Sequence, residues 1–410
     1  MSNKFKIAIL TTARSDFGAL KRVIRHACTC FDVDLLVAGS HFLVSRGETI
    51  KEIEKEFVDA KNPHIVCFNA MDSTDTAVNQ VETVAKTLPM ASNWFRANHC
   101  DLLLFLGDRW ELWGVTLAAF LHGIPLAHIS GGEVTEGVID DSVRHTHTKL
   151  SALHFAATSE YARNISLMGE EDWRISVVGE CGLDLIHDSE IGTPDELENS
   201  FGIDLEKPTL LVTFHPSTLD LKTPVKEQIG ALLDGLEAFA THLIIFTAPG
   251  VEQGSDIVLT AIHKFVDSHS NSVLVNHFGS RNYLAVMSKV RAVIGNSSSG
   301  LVEASSFGIP AVNVGQRQKH RLAADSVLHA NYDAKEIRDA IAKVLTHEYQ
   351  EYAKHCPNPY DPFQDGKNSL RIIKAINQAL TNIPREKLLM KKFENMIQMD
   401  QWGKLLLEVT

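Results

Sequence analysis

Several absences narrow this chain first. No apolar run approaches the ~20 residues needed to span a bilayer, so no membrane span is expected. The six cysteines (Cys28, Cys30, Cys67, Cys100, Cys181, Cys356) are scattered. No CxxC or paired spacing suggests zinc or a redox pair, and they read as free thiols in a reducing compartment. Positive charge is short: 39 Lys and Arg stand against 51 Asp and Glu, for a net charge of −12. Nucleic acid requires a basic footprint, so it is not the expected partner. One anionic small ligand needs only a local positive site. No GxGxxG follows the first strand-like run, and no GxxxxGK[ST] loop occurs, which argues against a dinucleotide and against ATP hydrolysis. The N-terminal MSNKFKIAILTT runs straight into a strand with no signal peptide before it, and the expected location is cytoplasmic.

What is present is an ordinary globular composition, 44% hydrophobic and 22% charged, over a length that suits two or three domains of roughly 150 residues. Strand-like runs alternate with helical ones. In the first half the strands are 6–11, 34–37, 64–68, 102–106, 125–129, 154–157 and 175–178. Helical stretches between them include 18–28, 76–97, 111–121 and 160–168. Several strands are apolar throughout, as expected of parallel strands covered on both faces. The acidic stretch 181–207 reads as a linker. A second series follows, with strands at 209–213, 243–246, 272–275, 292–295 and 311–314 and helices at 226–239, 255–268 and 283–288. This alternation predicts an α/β protein of two Rossmann-like, doubly wound domains facing across a cleft. The first spans 1–180, with helices from about 368 packing back on it. The second spans 208–367, and a tail covers 385–410.

The most informative stretch is GNSSSGLVE, Gly295–Glu303. A strand leads into a small polar turn, and 301–307 reads as a helix. Such a turn presents unpaired backbone N–H groups, and the helix dipole favours an anion there. The alternative is that Ser297 or Ser298 serves only as an N-cap. Polar residues also follow other strands: Arg14-Ser15-Asp16, Gly107-Asp108-Arg109, Ser130 to Glu133 with Glu136 and Asp140-Asp141, His215-Pro216, Thr247 to Gly250, and Gln316-Arg317. Each sits at a strand's carboxyl end, where an open α/β sheet binds its ligand. Arg14, Arg109, Arg317 and the serine turn offer charge and donors for a diphosphate. Asp108, Glu133, Asp140 and Asp141 offer carboxylates for proton transfer. His215 offers a donor or a proton to a leaving phosphate. Glu303, one turn beyond the serines, suits sugar hydroxyls. The set fits a nucleotide-diphosphate sugar. His145 and His147, at i, i+2 on a helix, point to opposite faces and do not make a metal pair.

The segments TTARSDFG (11–18), GDRWE (107–111), HISGGEVTEGVIDDSVRHTHTK (128–149), FHPST (214–218) and GNSSSGLVEA (295–304) together resemble the hydrolysing UDP-N-acetylglucosamine 2-epimerases of sialic and related nonulosonic acid synthesis. The resemblance runs in order from about residue 5 to about 380. It implies a GT-B-like fold with the active site between the domains. It implies expulsion of UDP with loss of the carbon-2 proton, a glycal-type intermediate, and addition of water with the proton returned to the opposite face. Neither metal nor nicotinamide is implied. By position it implies that Asp108 is an acid/base, that Asp140 is an essential carboxylate, and that His215 lies near the diphosphate. Ser297 and Ser298 match diphosphate contacts, Glu303 a ribose contact, and Arg14 an arginine near the phosphates. The expected partner is a UDP-sugar, and the expected assembly a homodimer or homotetramer.

One position departs from the pattern. Several members of the family carry a catalytic glutamate where this chain has Ser130, three residues before Glu133. Either Glu133 takes over that role or the proton work is divided differently. A smaller side chain there also leaves room for a bulkier sugar, so UDP-N,N'-diacetylbacillosamine stands as an alternative substrate. Further alternatives are a GT-B glycosyltransferase, a non-hydrolysing epimerase and an inactive nucleotide-sugar sensor. Four retained carboxylates beside a negatively charged ligand weigh against the sensor.

Overall fold

A computed structural model describes residues 4–44, 47–58, 62–72, 76–135, 139–187, 191–217, 222–249, 254–318 and 320–394. Glu136, Thr218, Gly250 and the end of the tail, 395–410, lie outside these residues. Among the described residues, thirteen strands form two sheets. The first contains β1 (Lys6–Thr11), β2 (Asp32–Val37), β3 (His64–Cys67), β4 (Leu102–Leu106), β5 (Leu126–Ile129), β6 (Leu153–Ala156) and β7 (Ile175–Val177). The second contains β8 (Thr209–Thr213), β9 (Leu243–Thr247), β10 (Ser272–Val275), β11 (Ala292–Gly295), β12 (Ala311–Val314) and β13 (Val327–Ala330).

The strand orders are β3-β2-β1-β4-β5-β6-β7 and β10-β9-β8-β11-β12-β13, and the pairings are parallel. These are two Rossmann-like sheets in a GT-B-like arrangement. Each order reverses at one point, between β1 and β4 and between β8 and β11, and the crevice at such a point is where an open sheet binds ligands. Alternation along each strand splits the apolar side chains between two helix layers. Ile7, Ile9, Leu35 and Leu104 share one core with Phe17, Leu20 and Ile24 of the helix Arg14–Cys30, and Ile372 and Ile376 of the helix Asn368–Asn382 join them. Leu10, Leu103 and Phe105 face Ala91, Val115 and Ala118 on the opposite side. The second sheet repeats the plan, with Leu210, Val212 and Ile294 on one face and Leu211, Ile245 and Val293 on the other.

Several elements differ from the sequence expectation. The stretch read as a linker contains the helix Pro194–Phe201. Its stop and start signals outweigh its polarity: a reciprocal capping box joins Thr193 and Glu196, proline occupies the first turn, and Gly202 closes the end in the left-handed conformation. The helix expected over 301–307 is divided at Glu303 into one α-turn, Ser299–Val302, and a 3-10 turn, Ala304–Phe307. β13 has no counterpart in the expected strands, because four residues after a polar loop carry little period-2 signal.

The segment 385–394 docks on the first sheet. Leu388 is buried in its core, and the fully buried Arg174 gathers the chain there. Its guanidinium donates to the carbonyls of Ala152 (3.1 Å), Leu388 (2.9 Å), Lys387 (2.9 Å) and Met390 (3.2 Å), and its Nε pairs with Glu171 at 2.7 Å. Arg174→Ala strands Glu171 and four carbonyls. It is expected to lower stability by about 3 kcal/mol and to open the chain near Lys387 to protease. Thermal unfolding with limited proteolysis checks this, and an unchanged melting temperature would remove Arg174 as the anchor.

Candidate functional site

The carboxyl ends of the two sheets meet around one ion pair. At the end of β5, Ser130-Gly131-Gly132 turns the chain so that Glu133, 2% exposed, points toward the second sheet. Gly132 has φ 78°, and a Cβ there would lie 2.3 Å from the Tyr161 carbonyl, so only glycine fits. Glu133 pairs with Arg321 from the loop after β12. Burial opposes the Arg321 charge, yet Glu133, with smaller contributions from Tyr360, Tyr161 and Asp108, drives the guanidinium's pKa further up. Beside the pair runs a ring of hydrogen bonds. The Leu322 N–H donates to the Tyr161 hydroxyl (3.2 Å), the two tyrosine hydroxyls share a bond of 2.7 Å, and Tyr360 donates to the Leu322 carbonyl (2.9 Å).

On the first sheet, Arg144 organises the carboxylates. It lies on the helix Ile139–Leu150, is 3% exposed, and pairs with Asp108 at the end of β4. It also reaches Asp141 at 3.4 Å and the Glu133 carbonyl at 3.0 Å. Asp141 in turn accepts the Thr135 N–H at 2.7 Å. Asp140, one residue earlier, adds its charge to the field around Arg109. Arg109 donates to Glu111 (3.2 Å) and lies near Asp16. Asp16 accepts the backbone N–H groups of Thr12 (2.9 Å) and Ala13 (3.0 Å), and burial pushes its carboxyl up to about 6 against those bonds. Arg14 opens its helix half-buried and makes no ion pair with a described residue. His147 turns inward against Phe105 and His128, whereas His145 faces Asp141 at 3.4 Å.

On the second sheet, Asn296 joins the ends of β8 and β11. Its side chain accepts from the His215 N–H and donates to the His215 carbonyl, both at 2.7 Å. Burial, then the charge of Arg317, pushes the His215 ring down to about 3, so it is neutral at ordinary pH. Arg317 donates to the Asn296 carbonyl at 3.1 Å, and Gln318 does so at 3.3 Å. Gly295 (φ 126°) passes so close to β8 that a Cβ would overlap the Thr213 carbonyl. The hydroxyl of Ser298 makes no capping bond. Ser297 accepts from the Ser299 hydroxyl at 3.0 Å, and Tyr283 and Ser299 share a bond of 2.7 Å. A single α-turn has little dipole, so the loop's capacity for an anion rests on its amides, its hydroxyls and Arg317.

The structure therefore brings Asp108, Glu133, Asp140, Ser297, Ser298, Glu303, His215, Arg109 and Arg317 to facing sheet ends. The sequence reading misses Arg144, Arg321, Asn296 and Glu180. Three of these are legible as polar residues inside the segments already quoted or four positions beyond Arg317. Glu180 lies three residues after the end of β7, at the edge of the stretch read as a linker. It accepts from the Ser130 hydroxyl at 2.9 Å.

Glu303 has one buried carboxyl oxygen, Oε2, with no hydrogen-bond partner among the described residues. Burial, and then the charge of Glu180, pushes its pKa up to about 7. The fold raises this group from its ordinary 4.5, so the stability it contributes is present below 4.5 and is lost as pH rises through about 7. Glu303→Gln is therefore expected to stabilise the protein in buffer at pH 8 by on the order of 2 kcal/mol, with the gain fading toward pH 4.5. Thermal unfolding at both pH values checks it, and an equal gain at both would exclude the buried charge as the cause.

Comparison with known proteins agrees with this fold. The profile of the UDP-N-acetylglucosamine 2-epimerase family matches residues 25–377. The chain is 32% identical over 352 residues to the GDP/UDP-N,N'-diacetylbacillosamine 2-epimerase (hydrolyzing) of Campylobacter jejuni, covering 85% of this chain and 90% of that one. It is 31% identical to polysialic acid biosynthesis protein P7 of Escherichia coli, covering 90% and 93%. In fold it is similar to the crystal structure of UDP-GlcNAc 2-epimerase from Neisseria meningitidis bound to UDP-GlcNAc, with a TM-score of 0.77 at 19% identity, covering 91% of this chain and 100% of that one. With a profile match over most of its length and a relative above 30% identity, the chain belongs to the UDP-N-acetylglucosamine 2-epimerase family.

Proposed function

We propose that this protein is a hydrolysing 2-epimerase that converts UDP-N-acetylglucosamine and water to N-acetylmannosamine and UDP, for nonulosonic acid synthesis. The observation that carries the reading is the pairing of Glu133, which stands among the carboxylates of one sheet end, with Arg321 from the other, whose strand ends carry the serine turn, a neutral histidine and Arg317. In this scheme the diphosphate lies against Ser297, Ser298, Arg317 and His215, with Arg14 and Arg109 facing it from the first sheet. The ribose hydroxyls donate to the unpartnered Oε2 of Glu303. Asp108, Glu133 and Asp140 handle protons at the sugar. The carbon-2 proton leaves as the bond from carbon 1 to the diphosphate oxygen breaks, with the electron pair departing on UDP. Water then bonds through oxygen to carbon 1 of the glycal, and a proton reaches carbon 2 from the opposite face. His215, held neutral, can donate an N–H to the departing phosphate without adding a charge.

A second reading takes UDP-N,N'-diacetylbacillosamine as the substrate. Two relatives named as N,N'-diacetylbacillosamine 2-epimerases support it, the one from Campylobacter jejuni and a 29% identical one from Legionella pneumophila, as does the small Ser130. A cytoplasmic homodimer or homotetramer belongs to either reading, and six cysteines with no disulfide among them suit a reducing compartment.

Each nucleotide sugar, incubated separately with the protein in deuterium oxide, tests the proposal. UDP and a free 2-epimerised sugar with deuterium at carbon 2 are expected, and the faster substrate names the pathway. UDP-sugar interconversion without UDP release would indicate a non-hydrolysing epimerase. Release that requires an added acceptor would indicate a glycosyltransferase. Asp108→Asn should retain UDP binding and lose about 100-fold or more in turnover; unchanged turnover removes Asp108 from the chemistry. Glu303→Ala should raise KM more than it lowers kcat, because the ribose is held in both ground and transition states. A defect in kcat alone contradicts that contact.

A further inference from the structure

Glu180 is a carboxyl group that the scheme above leaves unused. It follows β7, two strands across the sheet from β5, and is pinned through its backbone. Its N–H donates to the Tyr360 carbonyl at 2.9 Å, and its carbonyl accepts from the Asn368 amide at 3.1 Å. Its side chain turns to Ser130, whose hydroxyl donates to Oε2 at 2.9 Å. Oε1 has the Gly182 N–H at 3.4 Å and the Cys181 thiol at 3.7 Å. Among the described residues no cation touches it. The charges that face it are Glu133 after β5, Arg321 after β12 and Glu303 after β11, and Arg321 is already in contact with Glu133. Three carboxyls thus surround one guanidinium, and Glu133 holds it. Like charges crowded around a single cation do not all ionise readily, so the two without a cation contact, Glu180 and Glu303, are both pushed toward the protonated form, and Glu303 is already assigned to the ribose. Burial and the charge of Glu133 both push Glu180 upward.

Ser130 orients that carboxyl, while its donated bond acts to lower the carboxyl's pKa against burial and the charge of Glu133. The serine's φ of 60° lies in the left-handed region that non-glycine residues rarely adopt. Such a conformation persists only where its surroundings hold it. Here its N–H is fixed on the Phe155 carbonyl at 3.0 Å and its hydroxyl on Glu180.

Resting on the epimerase reading, we propose that Glu180, oriented by Ser130, is the proton donor of the second half-reaction, paired with Glu133 as the acceptor of the first. Glu133 takes the carbon-2 proton as the bond to UDP breaks. Glu180 then gives its own proton to carbon 2 on the other face, while the oxygen of water bonds to carbon 1 and the spare water proton passes to solvent. One proton enters Glu133 and one leaves Glu180 in each turnover, and exchange with solvent restores both.

Glu180→Gln preserves shape and the bond to Ser130 but carries no acidic proton. UDP release should continue while the sugar stalls as the unsaturated glycal, raising the ratio of glycal to 2-epimerised sugar at least about tenfold, the scale of a lost general acid. Ser130→Ala should shift the ratio the same way by less. UDP affinity measured on each variant shows that the fold is intact. If the ratio stays at the native value in both, with UDP still bound, Glu180 is not the donor and the epimerase reading stands. If the native protein releases no UDP from either nucleotide sugar, that reading falls. A separate measurement then decides whether Glu180 holds a proton: the infrared difference spectrum of native protein minus Glu180→Gln at pH 7. A protonated carboxyl band in the native protein is expected, and its absence overturns the inference whatever the substrate.

Discussion

The contact between Glu133 and Arg321 governs the site. Each side chain comes from the carboxyl end of a different sheet. Burying either charge alone would cost several kcal/mol, and removing one partner leaves the other stranded. The pair therefore ties the end of one sheet to the end of the other. The ring formed by Tyr161, Tyr360 and Leu322 holds the same junction with neutral hydrogen bonds, and Ala156, Ile165, Leu183 and Val302 pack around it. A junction built this way gives the same edge of the cleft both rigidity and charge.

Charge is unevenly shared across that cleft. The first sheet supplies Asp108, Asp140, Asp141 and Glu133, with Arg144 threaded among the first, third and fourth. The second supplies donors: the serine turn, Asn296, Gln318 and Arg317. A diphosphate suits the donor side, and a reacting sugar carbon suits the carboxylate side. This division is what the proposed elimination and rehydration require, because the leaving group and the proton transfers need opposite electrostatics within one molecule. Neutral His215 fits the boundary between the two, since a charged imidazole beside Arg317 would be doubly disfavoured by burial and repulsion.

Glycine geometry enforces the close approaches. At Gly132 and Gly295 a Cβ would collide with a backbone carbonyl of the facing element. Both residues sit at strand ends where the chain must turn abruptly to present Glu133 or the serines. Ser130 adopts a similar backbone conformation with a side chain, and the hydroxyl it gains is used on Glu180.

The architecture, and the strand ends that carry the candidate residues, are written in local patterns of the chain. Apolar runs such as Leu102–Leu106, read with the polar turns after them, define parallel strands and their carboxyl edges because burial on both faces leaves a direct signature in composition. The same local rules locate Asp108, Glu133, Ser297 and Arg317, since each follows a strand within a few residues. Local signals also hide some features. The helix Pro194–Phe201 is masked by its polarity, and β13 by its shortness. Which polar residues meet is settled at the level of the folded chain alone. Arg321 lies 188 positions from Glu133, and Ser130 lies 50 from Glu180. No periodicity records such pairings, because they arise from how two separately wound sheets dock and from which carboxyl reaches Arg321.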